Sequence, residues 1–238
     1  MVSTPDTALG PVVGTTPAVY PSLETKLSGR YVTIVGMTNE HIMPLYPGVS
    51  GDENAHAWDY MFDGPFEKAS DFQAVMEAEL RDPNLIIYAI IPADQPITPT
   101  GTPNIIGCAS YNYADPKNRR VEVGILMSPK TQRTPATTEA MYLMAKHAFE
   151  DLGYRRYEWK CDSLNASSYR AALRLGFTFE GTFRQHMIIK GRNRDTAWFS
   201  IVDGEWPGVK SAFEAWLHPS NFDANGVQRQ KLENLRSK

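Results

Sequence analysis

Val121 to Tyr154 reads V-E-V-G-I-L-M-S-P-K-T-Q-R-T-P-A-T-T-E-A-M-Y-L-M-A-K-H-A-F-E-D-L-G-Y. The β-branched run that opens it predicts a strand over 120–127. The polar stretch after it predicts a turn. Met141, Leu143, Met144, Ala148 and Leu152 then recur at helical spacing, and Gly153 supplies a stop signal, so a helix is expected over 136–152. A helix start carries free backbone N–H groups and the positive end of the helix dipole, which suits a bound phosphate. Gln132 to Thr137 add side-chain donors and the fixed charge of Arg133 beside that start. The segment therefore points to a phosphate-bearing ligand.

Outward from this unit, strands and helices mix. Strands are expected at 31–35, 85–91, 104–113, 156–161, 178–189 and 196–202, the last two joined by a Lys190-Gly191 turn. Helices are expected after Thr38 or Asn39, over 55–62, over 66–81, between Asn165 or Ser167 and Gly176, and over 207–217. Residues 92–103 hold four prolines and are expected to form a long loop. Residues 1–28 are rich in Pro, Thr, Gly and Ser and are expected to form a flexible arm; 29–217 form the domain, and 218–238 a polar tail with some helix. Such an order predicts an α/β domain with a mixed sheet covered by helices.

The bulk properties exclude several classes. Of 238 residues, 42% are hydrophobic and 21% charged, the composition of an ordinary globular protein. The formal net charge of −3 and the lack of a Lys/Arg-rich run argue against nucleic acid as a partner. No stretch approaches the ~20 apolar residues of a membrane helix, and Met1 to Ala18 lacks the pattern of a secretory signal, so a cytoplasmic location and no membrane partner are expected. Cys108 and Cys161 sit in apolar strands and are expected as free thiols. The five histidines show no H-x-x-x-H pair and the cysteines no C-x-x-C, so no metal is expected.

Further motifs complete the pattern. Glu122-Val-Gly124, Gln132 to Ala140, Asn165-Ala-Ser-Ser168, Leu175-Gly176-Phe177 and Glu180-Gly181 together resemble the GNAT acyltransferases, and more narrowly their ribosomal-protein-alanine acetyltransferase-like branch. The resemblance runs from about Gly29 to Leu217. It implies a mostly antiparallel mixed sheet with helices on both faces and a central splay between two parallel strands near Leu126. It also implies acetyl-CoA as donor, a primary amine of a small molecule or peptide as acceptor, and direct transfer. A homodimer is compatible with it.

By that resemblance, Gln132, Arg133, Thr134, Pro135, Ala136 and Thr137 hold the CoA pyrophosphate, and backbone at Ile125 and Leu126 faces the thioester. Pro135 and Thr137 replace the family's glycines. Proline donates no N–H, and the Thr134 and Thr137 hydroxyls are expected to compensate. Asn165 is expected on the pantetheine arm and Ser168 near the sulfur. Ala172 stands where many members carry an acidic tyrosine, which leaves Ser168 or Tyr169 as the thiolate's proton donor. Glu122 is expected as general base; a strand glutamate held by a neighbouring cation is the alternative. Asn165 can equally be only a helix cap. Trp58-Asp59-Tyr60 and Gly64-Pro65-Phe66 also match the branch, so Trp58 and Tyr60 are expected to wall the acceptor side with His186. Trp58 and Phe62 can equally be core. Arg184, Arg192, Arg194 and Asp195 are expected on solvated faces or in salt bridges. A CoA-binding protein without activity, or an acyltransferase with another acyl group or a hydroxyl acceptor, remains open.

Overall fold

A computed structural model describes residues 9–95 and 104–236. Residues 96–103, the larger part of the expected proline-rich loop, and the extreme ends of the arm and tail lie outside the described residues.

Eight strands form one sheet: β1 (Lys26–Ser28), β2 (Val32–Gly36), β3 (Leu85–Pro92), β4 (Gly107–Asp115), β5 (Arg120–Met127), β6 (Arg156–Asp162), β7 (Thr178–Ile189) and β8 (Arg192–Val202). Their order is β1-β2-β3-β4-β5-β6-β8-β7. All neighbours are antiparallel except β5 and β6. The helices are α1 (Asn39–Val49), α2 (Ala69–Glu79), α3 (Pro135–Lys146), α4 (Ala166–Leu175) and α5 (Trp206–Leu217).

The strand period of two divides the sheet into two faces. On one, Tyr111, Val121, Tyr157, Trp159 and Phe199 pack against Met141, Met144, Leu175 and Phe213 of α3, α4 and α5. On the other, Ile87, Ala89, Cys108 and Leu126 pack against Ile42, Leu45, Phe72 and Met76 of α1 and α2. That second cluster takes nothing from β6, β7 or β8, so α1 and α2 cover only half of their face.

The expected helix over 55–62 is a 3-10 turn over Asp52–Trp58, and the helix over 136–152 is α3 followed by one π turn, His147–Asp151. From Ala18 to Ser28 the chain is held rather than free. Its Ala18 and Val19 N–H groups bond to the carbonyls of Pro116 (3.0 Å) and Leu152 (2.8 Å), and Lys26–Ser28 pair with β2. Short polar residues hid this segment, because backbone bonds and not apolar side chains dock it. In the tail, Leu232 is buried in the α3–α5 cluster.

One contact ties the entry strand to α3. Glu139 is buried, and its carboxylate accepts the N–H groups of Arg30 (2.8 Å), Tyr31 (2.6 Å) and Val32 (2.9 Å). Gly29 is required beside it, since a Cβ there would lie 2.3 Å from Glu139 Oε2.

Candidate active site

The parallel pairing of β5 with β6 covers only Arg120/Arg156, Val121/Tyr157 and Glu122/Glu158. Beyond Glu122 the two strands part, while β5 stays paired to β4 as far as Met127 and β6 to β8 as far as Asp162. The splay thus begins at Glu122, earlier than the expected Leu126. The Ser128 N–H bonds to Ile106 O, toward β4. Strand alternation then directs the backbone groups of Leu126 and Gly124 toward β4, and those of Val123, Ile125 and Met127 into the opening. Leu126 itself contributes a core side chain.

At the apex, Glu122 faces the half-covered side. Lys160 Nζ lies 2.5 Å from its Oε2, at an angle outside hydrogen-bond geometry. Lys160 is itself held over the Trp198 ring (4.0 Å) and near Tyr113 (5.7 Å). Burial raises the Glu122 carboxyl above the ordinary glutamate range, Lys160 opposes this, and Glu158 adds to it. The cation expected for a structural glutamate is therefore present, and it is Lys160. Arg120 turns instead to Asp115 and Glu158.

At the mouth of the opening, α3 starts with Thr134 as N-cap and Pro135 as first residue. Thr134 Oγ1 accepts the Thr137 N–H, and the hydroxyls of Thr134 and Thr137 both donate to Thr131 O at 2.6 Å. Both hydroxyls therefore close the turn internally and do not stand free to replace the missing glycine amides. With Pro135 donating none, the first turn offers the Ala136 N–H. Arg133 and Gln132 are exposed, and Arg133 has a left-handed backbone (φ 62°), which turns the chain sharply into the helix.

Asn165 caps α4, accepting the Ser168 N–H at 3.0 Å. Ser168 Oγ accepts from Trp159 Nε1 at 3.0 Å. The Cys161 thiol on β6 is buried, and burial pushes it up. Tyr169 does not join this group. Its ring packs on Phe199 (4.8 Å) and Phe179 (5.5 Å), on the β7–β8 side of β6 and away from the opening. The helical turn that presents Ser168 to β6 carries its neighbour elsewhere.

On the acceptor side, Trp58 is core: its Nε1 bonds to Val49 O at 2.7 Å and its ring meets Phe66 edge-on. Tyr60 and Phe62 are exposed, so of the expected core pair only Trp58 is buried. The β7–β8 hairpin crosses to this segment. Lys190 Nζ donates to Trp58 O at 2.8 Å, and Arg194 lies 5.1 Å from the Phe62 ring. A bulge between Phe183 and Met187 breaks the hairpin's register, anchored by the Gln185 N–H on Asp195 (2.7 Å). It aims His186 at Thr196 Oγ1 (3.0 Å), which also accepts from Arg194 Nε (3.2 Å). Arg194 is therefore buried, not solvated as its charged surroundings in sequence imply. Among the described residues no three His, Cys, Asp or Glu side chains gather as metal ligands, and no helix is long and apolar enough to cross a membrane.

A mixed sheet that parts between two parallel strands, with a capped helix start at the mouth and a carboxylate at the apex, defines an acyltransferase-type fold. The model of the acetyltransferase (GNAT) domain matches residues 32–178, and the chain belongs to that family. A crystal structure of a GCN5-related N-acetyltransferase from Brucella melitensis is similar at 36% identity and TM-score 0.84, over 93% of this chain and 97% of that one. A probable GNAT acetyltransferase from Chromobacterium violaceum is similar at 34% identity and TM-score 0.76, over 86% of this chain and 100% of its own. The ribosomal-protein-serine acetyltransferase of Escherichia coli is 28% identical over 102 residues, which cover 42% of this chain and 57% of the relative. The chain thus matches little more than half the length of that relative.

Proposed function

We propose that this protein is an acetyl-CoA-dependent N-acetyltransferase that passes the acetyl group directly to a primary amine of a small molecule or peptide. The observation that carries this is the opening between β5 and β6, with Glu122 at its apex and the α3 start at its mouth. The donor's pantetheine lies along the backbone of Val123 and Ile125, in place of the missing ladder. Its pyrophosphate meets the Ala136 N–H and Arg133. Glu122 takes the proton from the attacking amine, and its raised pKa keeps it a competent base near neutral pH. The Ile125 N–H faces the developing oxyanion. Ser168, already an acceptor from Trp159, directs its own O–H as a hydrogen bond to the leaving thiolate, which takes its proton from solvent.

The test is thiol release from acetyl-CoA with a panel of amines, with mass detection of the acetylated product. Amine-dependent release that falls in Glu122→Gln supports the reading. Acetyl-CoA binding without release for any amine favours a binding protein, the alternative that the donor-poor turn at Pro135 keeps in view. Release with hydroxyl acceptors alone, or with longer acyl-CoA alone, overturns the acceptor or donor assignment.

A further inference from the structure

Arg194 is the one buried cation of the acceptor side that has no ionic partner among the described residues. Its side chain is only 6% exposed. Of the carboxylates whose charge reaches it, Glu122 is paired with Lys160. Asp162 attracts it only from beyond ion-pair distance. Of its donors, Nε is bonded to Thr196 Oγ1, and the two terminal nitrogens have no acceptor among the described residues and keep contact with solvent. Burying a guanidinium without a counter-charge is costly, and a structure that does so keeps the charge for something it binds.

The surroundings narrow what that is. Thr196 shares a sheet face with Lys160 and Trp198, so Arg194 faces the same side as Glu122. Phe62 lies along the guanidinium on one side, and the Thr196 bond fixes its tilt, so the terminal fork is pre-oriented. Such a planar fork matches a carboxylate with two parallel hydrogen bonds. With Lys160 already neutralising Glu122, one positive charge faces the acceptor. A monoanion balances it, whereas a phosphate dianion would face the Asp162 and Glu122 carboxylates in excess.

We infer that Arg194 is the specificity residue for an acceptor that carries a carboxylate besides its amine, an amino acid or an acidic peptide, which it holds while the amine reaches Glu122. This rests on the transfer reading above, and it can be tested apart from turnover. N-acetyl amino acids and their matching primary amides mimic the product side of the reaction. Their binding to the CoA-loaded full-length protein is measured by calorimetry for wild type, Arg194→Gln and Arg194→Lys, with acetyl-CoA affinity as the control for folding.

The expected result is about tenfold to a hundredfold tighter binding of the carboxylate than of the amide by wild type. Arg194→Gln erases the preference, and Arg194→Lys keeps part of it, as a point charge without the fork. Equal binding of acid and amide by wild type overturns the inference, as does no measurable binding of any carboxylate, or a preference that survives in Arg194→Gln. If Arg194→Gln does not fold, the wild-type preference and its reduction in Arg194→Lys decide. A carboxylate preference without thiol release overturns the transfer reading and leaves the anchor standing. Thiol release with no preference does the reverse.

Discussion

Glu122 joins a structural pairing to the base role proposed for it. Its charge is neutralised by Lys160, yet burial outweighs that pairing and keeps its proton affinity above the usual range. At low pH the carboxyl is protonated and accepts nothing, so turnover rises as pH climbs through this raised pKa. Glu122→Gln should lower kcat by about 10²–10⁴-fold, remove that acidic limb and leave acetyl-CoA affinity unchanged. A pH–rate profile of both proteins checks it. Tyr169 and Ser168 separate as cleanly. Tyr169→Phe should change turnover by less than about twofold, because its ring packs on Phe179 and Phe199 and its hydroxyl has no role at the opening. Ser168→Ala should slow release of the thiol, measured on the same acceptor. At this scale Glu122 was legible in the sequence, since a lone carboxylate in an apolar strand needs a reason. Arg194 was not. It stands in a run of charges, Arg192 to Asp195, and only the hairpin's path under Phe62 distinguishes it from its neighbours.

Among the elements, the β7–β8 hairpin bounds the side on which the proposed acceptor would bind. It spans beyond β6, bends at the bulge around Gln185 and is pinned to the Trp58 segment by Lys190. Lys190→Ala should therefore raise the acceptor KM about threefold to tenfold, the weight of one solvent-screened hydrogen bond, with acetyl-CoA affinity unchanged. Steady-state kinetics with each substrate varied in turn measures this. Periodicity located β8 and the α-helices, because each buries one stripe, whereas β7 is exposed almost throughout and was located by its Lys190-Gly191 turn. It did not locate the bulge, which depends on Asp195 receiving a backbone N–H from ten residues earlier. Nor did it reveal the internal use of the Thr134 and Thr137 hydroxyls, since a threonine at a helix start bonds to whichever carbonyl the turn presents, here that of Thr131.

The whole molecule depends on its first residues more than their composition implies. Removing residues 1–28 deletes β1, uncovers Ala18's site in the core and leaves Tyr88 without the Ser22 carbonyl it donates to. A loss of about 2–3 kcal/mol from these terms corresponds to a fall in Tm of roughly 5–10 °C for a chain of this size. Calorimetric melting of the truncated protein against the full chain checks it; an unchanged Tm would make the segment a passive cover. The domain as a whole was legible because its strand–turn–helix signals are local. The docking of this segment was not, because its partners lie at Pro83, Pro116 and Leu152, far along the chain.

Three residue pairs stitch β5 to β6, and past Glu122 the seam is open. The sheet is thus two rafts, β1 to β5 and β6 to β8, moored at one end. Amides of Ile125 and Met127, turned toward the gap, have no strand across from them to slow their exchange with solvent. A donor molecule lying there acts as a ninth strand. Hydrogen–deuterium exchange at these positions should therefore be fast in the free protein and slow once acetyl-CoA is added, while amides along the continuous β2–β3 ladder stay slow throughout. The protein would then complete its own architecture only on binding its substrate, and its rigidity would follow the supply of acetyl donor.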